Sequence, residues 1–174
     1  KLLYIVNSSS YFLSHRSEIA LAAKKEGYKV HVASPKSKFK KEIELKGFYH
    51  HNLQLSRSGR NVLSEIKTIV NLYKVIKEIK PDLVHLITIK PVIYGGIISN
   101  LLKTKGIVSA IPGLGFSYIS KGINASIFRF FLSFLYRMAF ISKMMNRQQI
   151  SKRPEKFSSL RSFFENYFWP QKMA

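Results

Sequence analysis

Within ten residues, the stretch NSSSYFLSHR from Asn7 to Arg16 offers an amide, several hydroxyls, an imidazole and a guanidinium. It follows a strand-like apolar run, Leu2 to Val6, and leads into a helix expected to begin near Ser14. The glycines of a phosphate-cradling turn are absent, so something other than a dinucleotide belongs at this strand end. A polar loop whose helix points its amino end at a ligand can still receive an anion through free backbone amides. His15 can donate or accept near neutral pH, and Arg16 has the fork that pairs with phosphate through two bonds. A loop histidine satisfied by neighbouring backbone and a solvent-facing first-turn arginine would look the same.

Three further groups carry usable chemistry. In HLITIKP, alternation puts His85, Ile87 and Ile89 on one face of a strand and its extension, with Leu86, Thr88 and Lys90 on the other. Thr88 and Lys90 then lie at the strand's carboxyl end, where a hydroxyl and an ammonium suit a sugar phosphate. His85, mid-strand, reads as a core histidine. In LSRSG, capping and turn chemistry explain Ser58, Gly59 and Asn61, whereas Arg57 is less easily explained without a ligand. Gly113-Leu114-Gly115 is a short glycine pattern that a tight turn alone would account for.

These residues need a scaffold. The chain's 174 residues, 46% of them apolar, suffice for one domain with a real core and not for a second full one. Leu2 to Val6, Lys29 to Ala33, Phe48 to Leu53, Asp82 to Ile87 and Gly106 to Ala110 read as strands. Between them lie helical stretches: one around Ile19, Ala20 and Ala23 that stops at Gly27, a lysine-rich one over Ser37 to Lys46, and Val92 to Leu102. In the helix over Val62 to Ile79, Ile66, Ile69, Val70, Tyr73 and Ile76 repeat at helical spacing. Alternating strands and helices predict an α/β fold with a doubly wound parallel sheet, in which ligands bind outside the carboxyl ends of the strands.

Composition narrows the partners. The net charge of +20 calls for an anionic one: nucleic acid, a phospholipid surface or phosphorylated substrates. With no cysteine, disulfides and cysteine-based zinc sites are excluded, and a reducing compartment is consistent. Asp82 is the single aspartate, and Glu18, Glu42, Glu44, Glu65 and Glu78 sit among lysines on expected helices, which disfavours a paired-carboxylate hydrolase. The second strand closes on Ala33-Ser34-Pro35 without an acidic residue, which argues against a dinucleotide-dependent oxidoreductase. A nucleic-acid-binding module is the main alternative, but the lysines are spread over several helices and no helix-turn-helix or zinc signature appears, so no specific nucleic acid is expected. No signal peptide is expected either, since the first strand begins at once.

Taken in order, FLSHR, GYKVHVASP, LSRSG, KPDLVHLITIKPVIYGG and GLGFSYISKG resemble the amino-terminal half of family 4 glycosyltransferases. The likeness is nearest to those that extend polyprenyl-diphosphate-linked sugars, and it covers Lys1 to about Ser142. It implies one Rossmann-like lobe of a two-lobed, retaining enzyme, the lobe that binds the acceptor. His15 is then the catalytic candidate, donating a hydrogen bond to the acceptor or the developing leaving phosphate. Ser14, Arg16, Arg57, Thr88, Lys90, Gly113, Leu114 and Gly115 are the acceptor-binding candidates. Relatives carry a polar residue where this chain has Ile87. The nucleotide-sugar donor is expected only with a carboxyl-terminal lobe, and no other cofactor or metal is implied. The implied setting is the cytoplasmic face of a bacterial membrane, on an anionic leaflet.

Beyond this, Asn124 to Ser142 reads as an apolar, aromatic helix with Ser126, Arg129, Ser133 and Arg137 on one stripe; it is shorter than the about 20 apolar residues of a span. Residues 143–174 form an atypical tail where the likeness stops. It is a linker, or else out-of-frame translation. ISKRP at Ile150 to Pro154 can be encoded so that reading one base later gives Phe-Gln-Asn-Asp, which resembles the family's continuation. On that expectation a frameshift lies between Ser142 and Ile150, the tail is irregular, and the enzyme is truncated.

Overall fold

The computed structural model describes residues 1–55 and 62–110. Arg57, Gly113, Leu114, Gly115, the helix expected over 124–142 and the tail lie outside the described residues. Five strands, β1 (Leu2–Ile5), β2 (Val30–Ser34), β3 (Tyr49–Asn52), β4 (Leu83–Ile87) and β5 (Gly106–Ala110), form one parallel sheet in the order β3-β2-β1-β4-β5. β1 and β4 are central and every residue in them is buried, as expected of strands covered on both faces. β3 is an edge strand with the polar sequence YHHN, a composition that suits a strand open on one side.

Two apolar layers cover the sheet. Against one face pack Phe12 of α1 (Ser9–His15), Ala20 and Ala23 of α2 (Ser17–Lys25) and Ile43 of α3 (Lys40–Leu45), meeting Leu2, Tyr4, Val32 and Ile87. Against the other lie Leu72, Val75, Ile76 and Ile79 of α4 (Val62–Ile79) and Ile98 of α5 (Gly96–Leu101), meeting Leu3, Ile5, Val84 and Leu86. This is the doubly wound, Rossmann-like α/β arrangement. The chain winds outward from β1 to β3, then crosses to β4 on the other side, so β1 and β4 flank the point where the winding reverses. Crevices form at the carboxyl ends of strands at such a point.

Three expectations are corrected. The first helix begins at Ser9 rather than near Ser14: Ser8 is extended (φ −150°, ψ 123°) and its hydroxyl accepts from the Tyr11 amide, so the serine run is the cap and first turn. The helix breaks at Arg16 (φ −130°, ψ −12°) before α2. The hydroxyls of Ser14 and Ser17 donate back to the carbonyls of Ser10 and Leu13, a habit that bends helices.

The second concerns α4. Its period is helical, but Ile66, Ile69 and Val70 face outward, and the core side is Thr68, Leu72, Val75, Ile76 and Ile79. The third concerns the end of β4. The strand stops at Ile87, Thr88 turns to φ +78°, and the alternation does not run on to Lys90. A π-helical turn, Pro91–Gly95, follows and leads into α5. It approaches the sheet so closely that a Cβ on Gly95 would lie 2.5 Å from Leu86 Cδ2, so any larger residue there would have to displace that side chain.

Candidate functional site

At the carboxyl end of β4, backbone geometry singles out Thr88. A β-branched residue at positive φ is a true outlier, of a kind that gathers at functional sites. Thr88 is tied down by its own amide, which donates to the Ala110 carbonyl (3.0 Å), and by its carbonyl, which accepts from Val92 (3.0 Å). Its Oγ1 is buried and has no hydrogen-bond partner among the described residues. The π-helical turn next to it is a second local irregularity of the kind found at such sites.

Two residues on, Lys90 is already paired. Its Nζ donates to Glu65 Oε1 (2.7 Å) in the first turn of α4, and the Tyr94 hydroxyl donates to Glu65 Oε2 (2.8 Å). Burial alone would raise the Glu65 pKa, but the Lys90 and Tyr94 hydrogen bonds and the Lys90 charge outweigh it and hold it below the usual carboxylate range. Burial and the Glu65 carboxylate push Tyr94 up to about 12. The ammonium at this strand end is therefore held in place and largely neutralised. In sequence Glu65 is one of the glutamates that sit among lysines on expected helices, and its partner is not evident there. No local signal could have disclosed it, because the contact spans 25 residues.

The Ser14-His15-Arg16 group sits at the break between α1 and α2, on the opposite face of the sheet from α4. His15 is exposed, stacked on Tyr11 (ring centroids 4.4 Å apart, planes 7° apart), and its Nδ1 lies 2.6 Å from Ser14 Oγ. Ser14 has one hydroxyl proton and three acceptors in reach, since the carbonyls of Ser10 and Tyr11 compete with the imidazole. If the proton goes to a carbonyl, a neutral His15 carries its own proton on Nδ1 and leaves Nε2 to accept. If it goes to His15, Nε2 is the donor. The pair can thus serve either direction of proton movement.

Arg16 turns the other way. Its Nε is buried with no hydrogen-bond partner among the described residues, and its charge acts on Tyr4 and His85 beneath it. Those two rings face each other across β1 and β4, with centroids 5.0 Å apart. His85 is 1% exposed; burial first, then the Arg16 charge, lower its pKa to about 3, so it is a neutral core residue as expected. Arg16 and Lys90 are accordingly not parts of one cationic cluster, because the sheet lies between them.

A feature the sequence did not disclose locks the start of α1. The hydroxyls of Ser37, Ser9 and Ser34 and His50 Nε2 form a series with 2.9 Å at each step, joining the β2–α3 loop, α1, β2 and edge strand β3. Burial lowers the His50 pKa, so the ring stays neutral and suited to such a chain. Nearby, between the carboxyl ends of β2 and β3 and the first turns of α4, opens a cleft of ≈ 370 Å³ whose charged residues, among the described residues, are Lys36 and Lys67. Among the described residues no helix is long and apolar enough to cross a membrane.

Comparison with known proteins bears on this arrangement. The family described as "Glycosyl transferase 4-like" matches residues 1–146. An N,N'-diacetylbacillosaminyl-diphospho-undecaprenol alpha-1,3-N-acetylgalactosaminyltransferase of Campylobacter jejuni is 26% identical over 137 residues, which is 74% of this chain and 36% of that protein. Of the solved structures, a glycosyltransferase from Rickettsia africae superposes with a TM-score of 0.50 at 15% identity, over 98% of this chain and 50% of that one. A putative UDP-N-acetylglucosamine 2-epimerase from Listeria monocytogenes does so with 0.53 at 12% identity, over 86% and 39%. The likeness to these two is one of fold. The chain spans about a third of the curated relative's length and half or less of the two structures.

Proposed function

We propose, from the premise that the chain belongs to the glycosyl transferase 4-like family, that it forms the acceptor-binding lobe of a retaining glycosyltransferase acting on a polyprenyl-diphosphate-linked sugar. The observation that carries this reading is the family match over residues 1–146, joined to a relative whose acceptor is a diphospho-undecaprenol-linked sugar. The strained Thr88 at the switch point of the sheet supplies a place for the acceptor's polar head. His15, with Ser14, supplies a group that can pass a proton or a hydrogen bond, and Arg16, Arg57 and the backbone at Gly113-Leu114-Gly115 supply contacts to phosphate and hydroxyls. Lys90 takes part through Glu65, which sets how much of its charge an incoming anion meets.

In this account the nucleotide-sugar donor, a hexose or N-acetylhexosamine carrier, is held by a second lobe, and electrostatic support of the departing diphosphate belongs there. The net charge of +20 suits a protein working at the cytoplasmic face of a bacterial membrane, where each lysine near an anionic leaflet contributes about 1 kcal/mol. The test is direct. The 174 residues, incubated with labelled nucleotide sugars and polyprenyl-diphosphate acceptors, are expected to transfer nothing. Addition of a donor-binding lobe from a relative, in one chain, is expected to give transfer. Turnover by the 174 residues alone contradicts this division of labour.

A further inference from the structure

The first turns of α4 combine two surfaces seldom found side by side without a reason. On the outward side, Leu63 is 66% exposed, Ile66 51%, Ile69 38% and Val70 46%, although the same helix fills the core with another set of residues. A run of exposed hydrocarbon along one helix marks an interaction surface. Adjoining it, the ≈ 370 Å³ cleft is lined by Lys36 and Lys67, with Asn52, Gln54 and Ser64 as further polar groups and no carboxylate among the described residues lining it. Thr68, on the cleft wall, already donates to the carbonyls of Gln54 and Ser64 and is spent on structure. Lys74 and Lys77 continue along the exposed side of α4 toward its carboxyl end. Cations beside an oily stripe are the complement of an amphiphile with an anionic head. A second copy of this chain, with the same charge of +20, would bring cation against cation.

We propose that this end of α4 seats a prenyl diphosphate: Lys36 and Lys67 hold the diphosphate, Leu63, Ile66 and Val70 the hydrocarbon, and Lys74 and Lys77 the surrounding anionic leaflet. The proposal rests on the lipid-linked acceptor reading and deepens it, because it puts the diphosphate in the cleft beside β2 and β3. The sugar is left to extend toward Thr88 at the end of β4.

Calorimetric titration of the full chain with farnesyl diphosphate and, separately, inorganic diphosphate tests it. Farnesyl diphosphate is expected to bind at least about tenfold more tightly, and Lys36→Ala with Lys67→Ala to weaken both ligands about tenfold through lost charge-assisted bonds. Leu63→Ser with Ile66→Ser is expected to bring farnesyl diphosphate down to the inorganic level and leave inorganic diphosphate unchanged. Lys25→Ala with Lys41→Ala, at exposed positions away from the cleft, controls for general charge and is expected to change neither. All six positions are exposed, so unfolding midpoints should hold. Equal affinity for the two ligands, or equal losses in the control, overturns the proposal. If farnesyl diphosphate binds and neither α4 variant matters, the placement is wrong and the lipid-linked acceptor reading stands. If the unaltered chain binds neither ligand, both fall.

Discussion

Acidification from pH 7 to 4.5 is expected to cost the fold of the order of 2–3 kcal/mol through His85 alone. The folded-state pKa is lowered to about 3, chiefly by burial and then by the Arg16 charge, whereas in the unfolded chain the ring titrates near its ordinary value of about 6.5. Between those values the unfolded state binds a proton that the folded state refuses. Stability is therefore fully present above about pH 6.5 and declines by about 1.4 kcal/mol per pH unit as the pH falls toward 3. His31, His50 and His51 are lowered as well, burial being the first cause in each, and add to the loss in the same direction. Urea unfolding at a series of pH values measures the slope. His85→Leu, which keeps an apolar body against Tyr4, should flatten it; an unchanged slope in that variant would mean that His85 is not the group responsible.

The second large effect concerns activity. In this chain joined to a donor-binding lobe, His15→Ala is expected to lower kcat by about a hundredfold, within the range for loss of a positioned proton-transfer group. His15 is exposed and its contacts are to Ser14 and Tyr11, so the denaturation midpoint should barely move. Lys90→Ala is expected to act differently. It removes a 2.7 Å bond to Glu65 and leaves a partly buried carboxylate with Tyr94 as its partner among the described residues, so a loss of acceptor affinity should come with a measurable loss of stability. If His15→Ala unfolds at clearly lower urea, or transfers sugar at the normal rate, its placement in the chemistry is wrong.

Much of the scaffold was legible because it is written in local patterns. The apolar run at Leu2 to Val6 and the largely apolar one at Asp82 to Ile87, interrupted by His85, marked the two central strands to within a residue, and Gly27, at positive φ, follows the end of α2 where glycine punctuation put it. The serine run after β1 was misread because serines favour loops and caps alike. Which serine caps is decided by which amide lies three residues on, here Tyr11 over Ser8. In α4, periodicity showed a helix but not which side it buries: two apolar stripes share it, and the core takes the one containing Thr68, a residue that hydropathy alone would put outside.

For the candidate site, residue type and strand end could be read from the sequence, and partnership much less so. Thr88 and Lys90 do follow the carboxyl end of β4, but in a turn and not in the strand-like alternation expected of them. The Thr88 backbone, the Glu65 pairing and the series of hydroxyls ending on His50 depend on contacts between segments far apart in sequence, which no window along the chain samples. The sheet also separates Arg16 from Lys90, a consequence of the crossover from β3 to β4 that a linear reading of neighbouring loops does not reveal.

The central claim is that this lobe holds the lipid-linked sugar and not the nucleotide sugar. Equilibrium titration of the 174 residues against a short-chain polyprenyl-diphosphate-linked N-acetylhexosamine and, in parallel, against uridine-diphosphate-N-acetylhexosamine measures it most directly. The expected result is saturable binding of the lipid-linked sugar, weakened by Arg16→Ala, and affinity for the nucleotide sugar at least about a hundredfold lower, a gap of about 2.7 kcal/mol. Tighter binding of the nucleotide sugar than of the lipid-linked one would contradict it.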